Sequence, residues 1–291
     1  MPRALRASVL ALLVVTACGL SNGQGSGPLA PPSPPTAALA KWQDFPAHAN
    51  PRPIIWFGGI YEHVNGFSDV TGKETWLCGK FVLGGGVQLP GAGPARATAA
   101  WPSGARGSYA SIGAEQAFKA LLAHRQNAGG SNCATAAAEV ITDVRWGAAR
   151  FATDRGRAQI SAWLFDVGAV NGELGYPALD PSAYWGGGMT PSPDTIGGRI
   201  SGDGLTLTIG LVGGPETPGP CGIDYAAAAA ESETAVAVAI SSRSHGGQDV
   251  VCDLVGYPRT VTVHLSAPLG GRVLLDSQGN PGDVCPEKPD C

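Results

Sequence analysis

The chain has 291 residues, with 19 Lys and Arg against 23 Asp and Glu and a formal net charge of −4 at pH 7. Gly (43) and Pro (24) are abundant, while charged residues make up 14% and apolar residues 44%. These values exclude a highly charged disordered chain and a polytopic membrane protein, and the missing basic stripe argues against nucleic-acid binding.

The first residues have the pattern of an export signal. Arg3 and Arg6 give a positive start, and residues 8–15 form an apolar stretch shorter than the roughly 20 residues that span a bilayer. Residues 15–18 (Val-Thr-Ala-Cys) resemble the lipobox of bacterial lipoproteins, in which small residues precede a Cys that becomes the lipidated N-terminus. The resemblance implies a signal peptide over residues 1–17, a diacylglyceryl anchor on Cys18, and a location on the outer face of the cytoplasmic membrane. The alternative is an ordinary signal peptide that leaves Cys18 as a free thiol.

Residues 18–53 have the composition of a disordered tether. A Gly- and Ser-rich run over residues 21–28 is flexible, and the Pro-rich run over residues 31–35 favours polyproline II. Such a composition buries too little apolar area to offset the entropy of ordering. The segment therefore predicts a linker that holds a folded unit off the membrane.

The cysteine count predicts disulfides. Seven Cys without Cys18 leave six, and an even number in an exported chain is typical of disulfide bonding. Six Cys allow 15 pairings. We expect near neighbours to pair, as Cys78–Cys133, Cys221–Cys252 and Cys285–Cys291. The absence of C-x-x-C spacing disfavours a zinc knuckle or a thioredoxin-type site.

The folded part begins with an α+β module over residues 54–192. Apolar runs predict strands over residues 54–57 and 76–83, and a 3.6-residue apolar period predicts the one clear helix over residues 113–126. A meander of strands follows over residues 140–167, with a turn at Asp154-Arg155-Gly156.

An antiparallel β module over residues 193–278 follows. Residues 205–211 and 235–240 alternate in the two-residue period of strands, and residues 260–275 predict a hairpin. The run Ala226–Ala230 favours helix by propensity, but its flanks favour a strand, which we assign. Residues 279–291 form a disulfide-constrained tail. The fold class is thus α+β, mostly antiparallel sheet with one helix, packed as two modules joined near residues 190–193 or as one sandwich-like body.

A second resemblance concerns residues 140–275. Its motifs include Thr153-Asp154-Arg155-Gly156 and the stretch over residues 255–260, and they are similar to uncharacterised exported proteins of high-GC actinobacteria. The excess of Arg over Lys and the Ala, Gly and Pro content fit such a source. This resemblance implies no activity.

Catalytic motifs are missing from the sequence. Its single G-x-S-x-G match (residues 19–23) falls in the predicted disordered tether and so cannot form a nucleophile turn between a strand and a helix, and it contains no S-x-x-K, H-E-x-x-H or phosphate-binding loop. Its five His have no ligand spacing. Glu231 and Glu233 share a face, but we interpret them as a solvated strand end. No catalytic residue, metal ligand or cofactor is predicted.

Two groups of residues are candidates for binding. Tyr184 and Trp185 lie in a Gly- and Pro-rich stretch, where flat rings can stack on a sugar; alternatively, Trp185 fills an interface between the modules. Arg150, Arg155 and Arg157 surround the predicted hairpin turn and are either solvated or in contact with an anionic envelope polymer.

Together these features predict a non-catalytic, lipid-anchored surface protein with a role in binding or envelope assembly. Its expected partners are the membrane, through Cys18, and an envelope protein or glycan, but not nucleic acid. The alternative is a surface hydrolase of cell-wall glycan or peptide, which requires converging carboxylates or a Ser–His pair that no linear motif shows. A solute-binding lipoprotein is disfavoured, because it would need parallel α/β lobes with more helices.

Overall fold

The computed structural model describes residues 29–66, 73, 76–126, 133, 137–168, 172–189, 196–246 and 250–287. Within these ranges sixteen strands form three sheets, accompanied by the α-helix α1 (Ala114–Gln126) and by short 3₁₀ helices at Thr36–Trp42 and Pro181–Ala183. The prediction of a mostly β-sheet protein with few helices is confirmed.

The first sheet contains nine strands in the order β2-β8-β7-β6-β1-β9, with β3 beside β6, and with β4 beside both β7 and β5. The long strands β6 and β7 pair antiparallel through the predicted turn at Asp154-Arg155. Two pairs, β1–β9 and β3–β6, are parallel. The strand bounds are β1 (Ile54–Trp56), β2 (Tyr61–Val64), β3 (Phe81–Leu83), β4 (Arg96–Ala100), β5 (Arg106–Ala110), β6 (Glu139–Thr153), β7 (Gly156–Val167), β8 (Gly172–Pro177) and β9 (Tyr184–Met189).

Apolar side chains cover both faces of this sheet. Helix α1 buries Ala117 and Leu121 in a cluster with Trp163 and Phe165 on one face. A second cluster, which includes Ile160, covers the other face. Burial on both faces explains why β7 reads as a continuous apolar run and not as an alternating one.

The strand predicted over residues 76–83 is shorter in the structure. Residues 76–78 are helical, and only Phe81–Leu83 form a strand. Gly79 has φ 65°, a left-handed conformation that Gly adopts without steric cost and that ends the helical turn.

The second and third sheets form a sandwich in the C-terminal third. Their orders are β14-β11-β10-β16 and β12-β13-β15. The alternating apolar residues of both sheets, such as Leu207, Ile209, Val236 and Val238, meet in one core. The bounds are β10 (Gly197–Ile200), β11 (Thr206–Gly213), β12 (Ile223–Glu231), β13 (Ala235–Ser244), β14 (Tyr257–His264), β15 (Val273–Leu275) and β16 (Asp283–Pro286).

Two local predictions in this region have different outcomes. The run Ala226–Ala230 lies within β12, so its assignment as a strand is confirmed. The hairpin over residues 260–275 is wrong, because β14 pairs with β11 whereas β15 pairs with β13 in the opposite sheet. Leu269 in the connection is buried in the core between the sheets. Both strands supply inward apolar residues, so alternation alone does not show which sheet each one joins.

The C-terminal part of the predicted tether is folded. Residues 36–42 form a 3₁₀ helix, and Trp42 and Phe45 are only 6% and 2% exposed. They pack with Ala237 and Leu275 of the sandwich. The Pro and Gly content led to the disordered assignment, but the aromatic side chains bury enough apolar area to order this segment. Residues 18–28 and the predicted joint at residues 190–193 lie outside the described residues.

A buried ion pair joins the N-terminal segment, the first sheet and the sandwich. The Arg52 guanidinium lies 2.7 Å from the Asp154 carboxylate, and both side chains are almost fully buried. The Arg52 Nε–H also donates to the Gly271 carbonyl oxygen (2.7 Å) before β15. The Asp154 carbonyl oxygen accepts from the Val284 N–H (3.0 Å) in β16. The two predicted modules are therefore tied together at this point.

Two predicted disulfides are confirmed. Cys78–Cys133 links residues 55 positions apart in the sequence, and Cys221–Cys252 links residues 31 positions apart. Cys285 is disulfide-bonded, and its predicted partner Cys291 lies outside the described residues. None of the described helices has both the length and the apolar character that crossing a bilayer requires.

Candidate functional site

A small cavity lies where helix α1 meets the ends of β1, β8 and β9. Its volume is about 170 Å³, which is below the usual range of about 300–1,000 Å³ for pockets that bind drug-sized ligands. The size suits a single ring or a group of similar size. The lining residues are Trp56, Ile112, Gln116, Ala120, His124, Tyr176, Leu179, Pro181, Tyr184 and Gly187.

Helix α1 forms one wall of the cavity. Gln116, Ala120 and His124 follow one another at intervals of four residues, so they lie along one face of the helix. Ala117 and Leu121 on a neighbouring face are buried against the first sheet. Because the apolar face is buried against the sheet, the Gln116 amide, the Ala120 methyl group and the His124 imidazole face the cavity.

Aromatic residues form the opposite wall. The parallel pairing of β1 with β9 brings Trp56 and Tyr184 together, and their rings stack with centroids 5.4 Å apart. The Tyr176 ring from β8 meets Trp56 edge-on at 5.7 Å. Such stacked and edge-to-face pairs hold the rings in defined positions.

Two polar atoms in this wall have no hydrogen-bond partner among the described residues. They are the Trp56 indole Nε1–H and the Tyr184 hydroxyl, and both are buried. A buried polar group without a partner costs about 1–3 kcal/mol. Both atoms are almost fully inaccessible to solvent, so they are enclosed by protein and do not open onto the cavity.

The electrostatics of the cavity favour a neutral ligand. No Asp, Glu, Lys or Arg is among its lining residues. Burial, together with the nearby Tyr176 and Tyr109, raises the pKa of Tyr184 well above its usual value of 10. Its hydroxyl thus stays protonated at neutral pH. A cationic ligand would lose hydration here without gaining an opposite charge, and an anionic ligand would meet no Lys or Arg.

The structure separates the two predicted binding residues. Tyr184 lines the cavity, whereas Trp185 points to the other side of β9 and packs against Trp42 (centroids 6.3 Å apart) and Phe45 (5.1 Å). Trp185 belongs to the cluster between the N-terminal segment and the sandwich. This placement matches the alternative in which it fills an interface. Cys18 lies outside the described residues.

The three arginines around the β6–β7 turn are also separated. Arg155 turns inward, with its guanidinium 3.6 Å from the centroid of the Trp101 ring. Burial lowers its pKa, while Asp154 opposes this shift. Arg150 and Arg157 are exposed on the opposite face of the hairpin.

Acidic and metal-binding groups form no site in the described ranges. The Glu231 carboxylate accepts from Arg272 (2.8 Å) and from the Ser266 N–H (2.8 Å), so it is part of a structural ion pair. No group of three His, Cys, Asp or Glu side chains there is placed to hold a metal ion.

Sequence reasoning missed most of the cavity. Trp56 belongs to a short apolar run that reads as core, and Gln116 reads as a solvated helix residue. The available signal was the four-residue interval from Gln116 through Ala120 to His124, which places these residues on one helix face. The sequence contains nothing that places this face beside Trp56.

No protein-family model, curated protein or solved structure matches the chain. The function of the chain is therefore inferred from the geometry of the cavity and from the sequence.

We expect Tyr184→Phe to leave the stability of the ligand-free protein unchanged or to raise it by up to about 1 kcal/mol, because the lost hydroxyl has no partner. The matched control is Tyr109→Phe, since the equally buried Tyr109 hydroxyl donates to the Arg52 carbonyl oxygen (2.8 Å). This variant should lose about 1–2 kcal/mol. Urea unfolding measures both changes. Equal losses in the two variants would contradict the assignment of an unpaired hydroxyl.

Proposed function

We propose that the protein is a lipid-anchored, extracytoplasmic surface protein that binds a neutral sugar unit of an envelope glycan. The observation that carries the proposal is a small cavity with a wall of stacked aromatic rings and without Asp, Glu, Lys or Arg in its lining. Aromatic rings offer apolar surface to the C–H faces of a sugar, and its hydroxyls supply both donors and acceptors. The Gln116 side chain in the helix wall can both donate to and accept from such hydroxyls.

The proposed anchor and location rest on the N-terminal sequence and on the disulfides. The lipobox-like residues 15–18 supply the Cys18 thiol, and two acyl chains anchor a protein stably where one binds only marginally. Disulfides persist in oxidising compartments and are compatible with export. The 3₁₀ helix of the folded body begins at Thr36, so the proposed tether is shorter than the segment over residues 18–53 that the composition predicted.

A binding role is favoured over the alternative of a cell-wall hydrolase. Glycoside hydrolysis needs two carboxyl groups about 5–10 Å apart, and acyl transfer needs a nucleophile beside a base. Neither the aromatic cavity nor the cavity beside Arg96 and Arg106 has a carboxylate among its lining residues.

For the anchor, we expect intact wild-type protein from a membrane fraction to start at Cys18 and carry acyl chains. It should gain about six hydrogens on reduction, two for each disulfide. Cys18→Ser should lose the acyl mass and leave the membrane fraction. A double variant, Cys221→Ser with Cys252→Ser, should stay anchored and gain only about four hydrogens. An unlipidated wild-type chain recovered from the medium would overturn the anchor.

For the ligand, we expect neutral mono- and disaccharides to change the tryptophan fluorescence, because Trp56 lines the cavity. Trp56→Phe should weaken binding about threefold to tenfold, because the smaller ring offers less stacking surface, and should abolish most of the signal. The matched control Trp185→Phe removes an indole that packs elsewhere and should leave the affinity unchanged.

Three results would contradict this proposal. They are binding of uronic acids as tight as that of neutral sugars, the same loss of affinity in the two Trp variants, or the release of new reducing ends from glycan fragments. The last result would favour the hydrolase.

A further inference from the structure

One face of the first sheet carries four exposed arginines that the sugar cavity does not use. Arg96 lies on β4, Arg106 on β5, Arg150 on β6 and Arg157 on β7. We call this surface the arginine face. The strands are adjacent in the order β6-β7-β4-β5, so residues that are far apart in sequence form one surface.

The strand register places the four side chains on the same face. Arg150 lies opposite Gln159, Gln159 opposite Ala100, and Ala100 opposite Arg106, so these four residues form one row across the sheet. Three strand spacings separate Arg150 from Arg106, a distance of about 14 Å between backbones. Arg157 lies two residues from Gln159, and Arg96 lies four residues from Ala100, which keeps both on this face.

The four arginines form no ion pair with the carboxylates of the described residues. None of the four arginines has a carboxylate within 4.0 Å. On the opposite face of β6, by contrast, Arg145 pairs with Glu173. The chain as a whole has a net charge of −4, so four positive charges on one face are a marked local asymmetry.

The arginine face is concave at one end. A cavity of about 420 Å³ is lined by Arg96 and Arg106, by the hydroxyl residues Thr98 and Ser108, and by Asn50, among others. The Arg96 Nε–H donates to the Ser108 hydroxyl (3.1 Å), which holds that guanidinium against β5. Guanidinium forks, hydroxyls and an amide together match the oxygens of a phosphate group.

We infer that the arginine face binds a linear polyanion whose charges are phosphate groups. One phosphate would occupy the cavity at Arg96 and Arg106, and the chain would continue across the sheet past Gln159 toward Arg150 and Arg157. Arginines separated by about 14 Å across the sheet suit separate groups of one polymer better than one small anion. This binding is independent of the sugar cavity, and neither needs the other.

The test uses the whole mature chain and medium-length inorganic polyphosphate as the probe. Arg106→Gln, Arg150→Gln and Arg157→Gln are combined, because these exposed side chains make no ion pair in the described residues. The triple variant should bind polyphosphate at least about tenfold more weakly, and its affinity should depend less steeply on salt. Circular dichroism should show the wild-type fold.

A charge-matched control removes three positive charges outside the arginine face, with Lys41→Gln, Lys119→Gln and Arg199→Gln. Its affinity should stay within about twofold of the wild type. Equal weakening in both variants would overturn the inference, because the binding would then follow net charge alone. Vesicles of phosphatidylglycerol form a second arm. Binding to these vesicles without binding to polyphosphate would also overturn it, since the phosphate source would then be a lipid surface.

Discussion

The ion pair between Arg52 and Asp154 is the interaction on which the rest of the structure depends. Both charges are buried, so each would carry a large desolvation cost without the other. The Arg52 guanidinium also donates a hydrogen bond to the Gly271 carbonyl oxygen before β15, and the Asp154 carbonyl oxygen accepts one from the Val284 N–H of β16. One pair of side chains thus joins the N-terminal segment, the long β6–β7 hairpin and the sandwich. Its geometry requires all three parts to be folded together.

The same pair positions the proposed sugar cavity. The Asp154 carboxylate accepts from the Ile55 N–H (3.2 Å), and the Asp154 N–H donates to the Ile55 carbonyl oxygen (3.0 Å), so β1 is held against the hairpin turn. Trp56 follows directly on β1, and β1 pairs with β9, which carries Tyr184. The β6–β7 hairpin also carries Arg150 and Arg157 on its exposed face. The Arg52–Asp154 ion pair has no proposed binding role of its own, but it positions both the proposed sugar cavity and the arginine face.

The sequence predicted local structure well and long-range arrangement poorly. Alternation identified the strands of the sandwich, and the 3.6-residue period identified α1, because these signals lie within a few neighbouring residues. The false hairpin over residues 260–275 and the disordered assignment of Trp42 and Phe45 failed because tertiary packing decided them. The sugar cavity and the arginine face are assembled from strands distant in sequence. Arg150 and Arg157 were noticed, but their neighbours on β4 and β5 depend on sheet order.

The most direct measurement of this account is a double-mutant cycle on the ion pair, with Arg52→Met, Asp154→Asn and the two combined, followed by urea unfolding. Arg52→Met leaves the buried Asp154 carboxylate with only the more distant Arg155 guanidinium (3.9 Å), and Asp154→Asn leaves the buried Arg52 charge without this carboxylate, so each variant should lose about 3–5 kcal/mol. The combined variant should lose about 2 kcal/mol less than the sum, because the penalty of the unpaired charge is removed. Strictly additive losses, or single losses below about 1 kcal/mol, would show that the pair does not hold the three parts together.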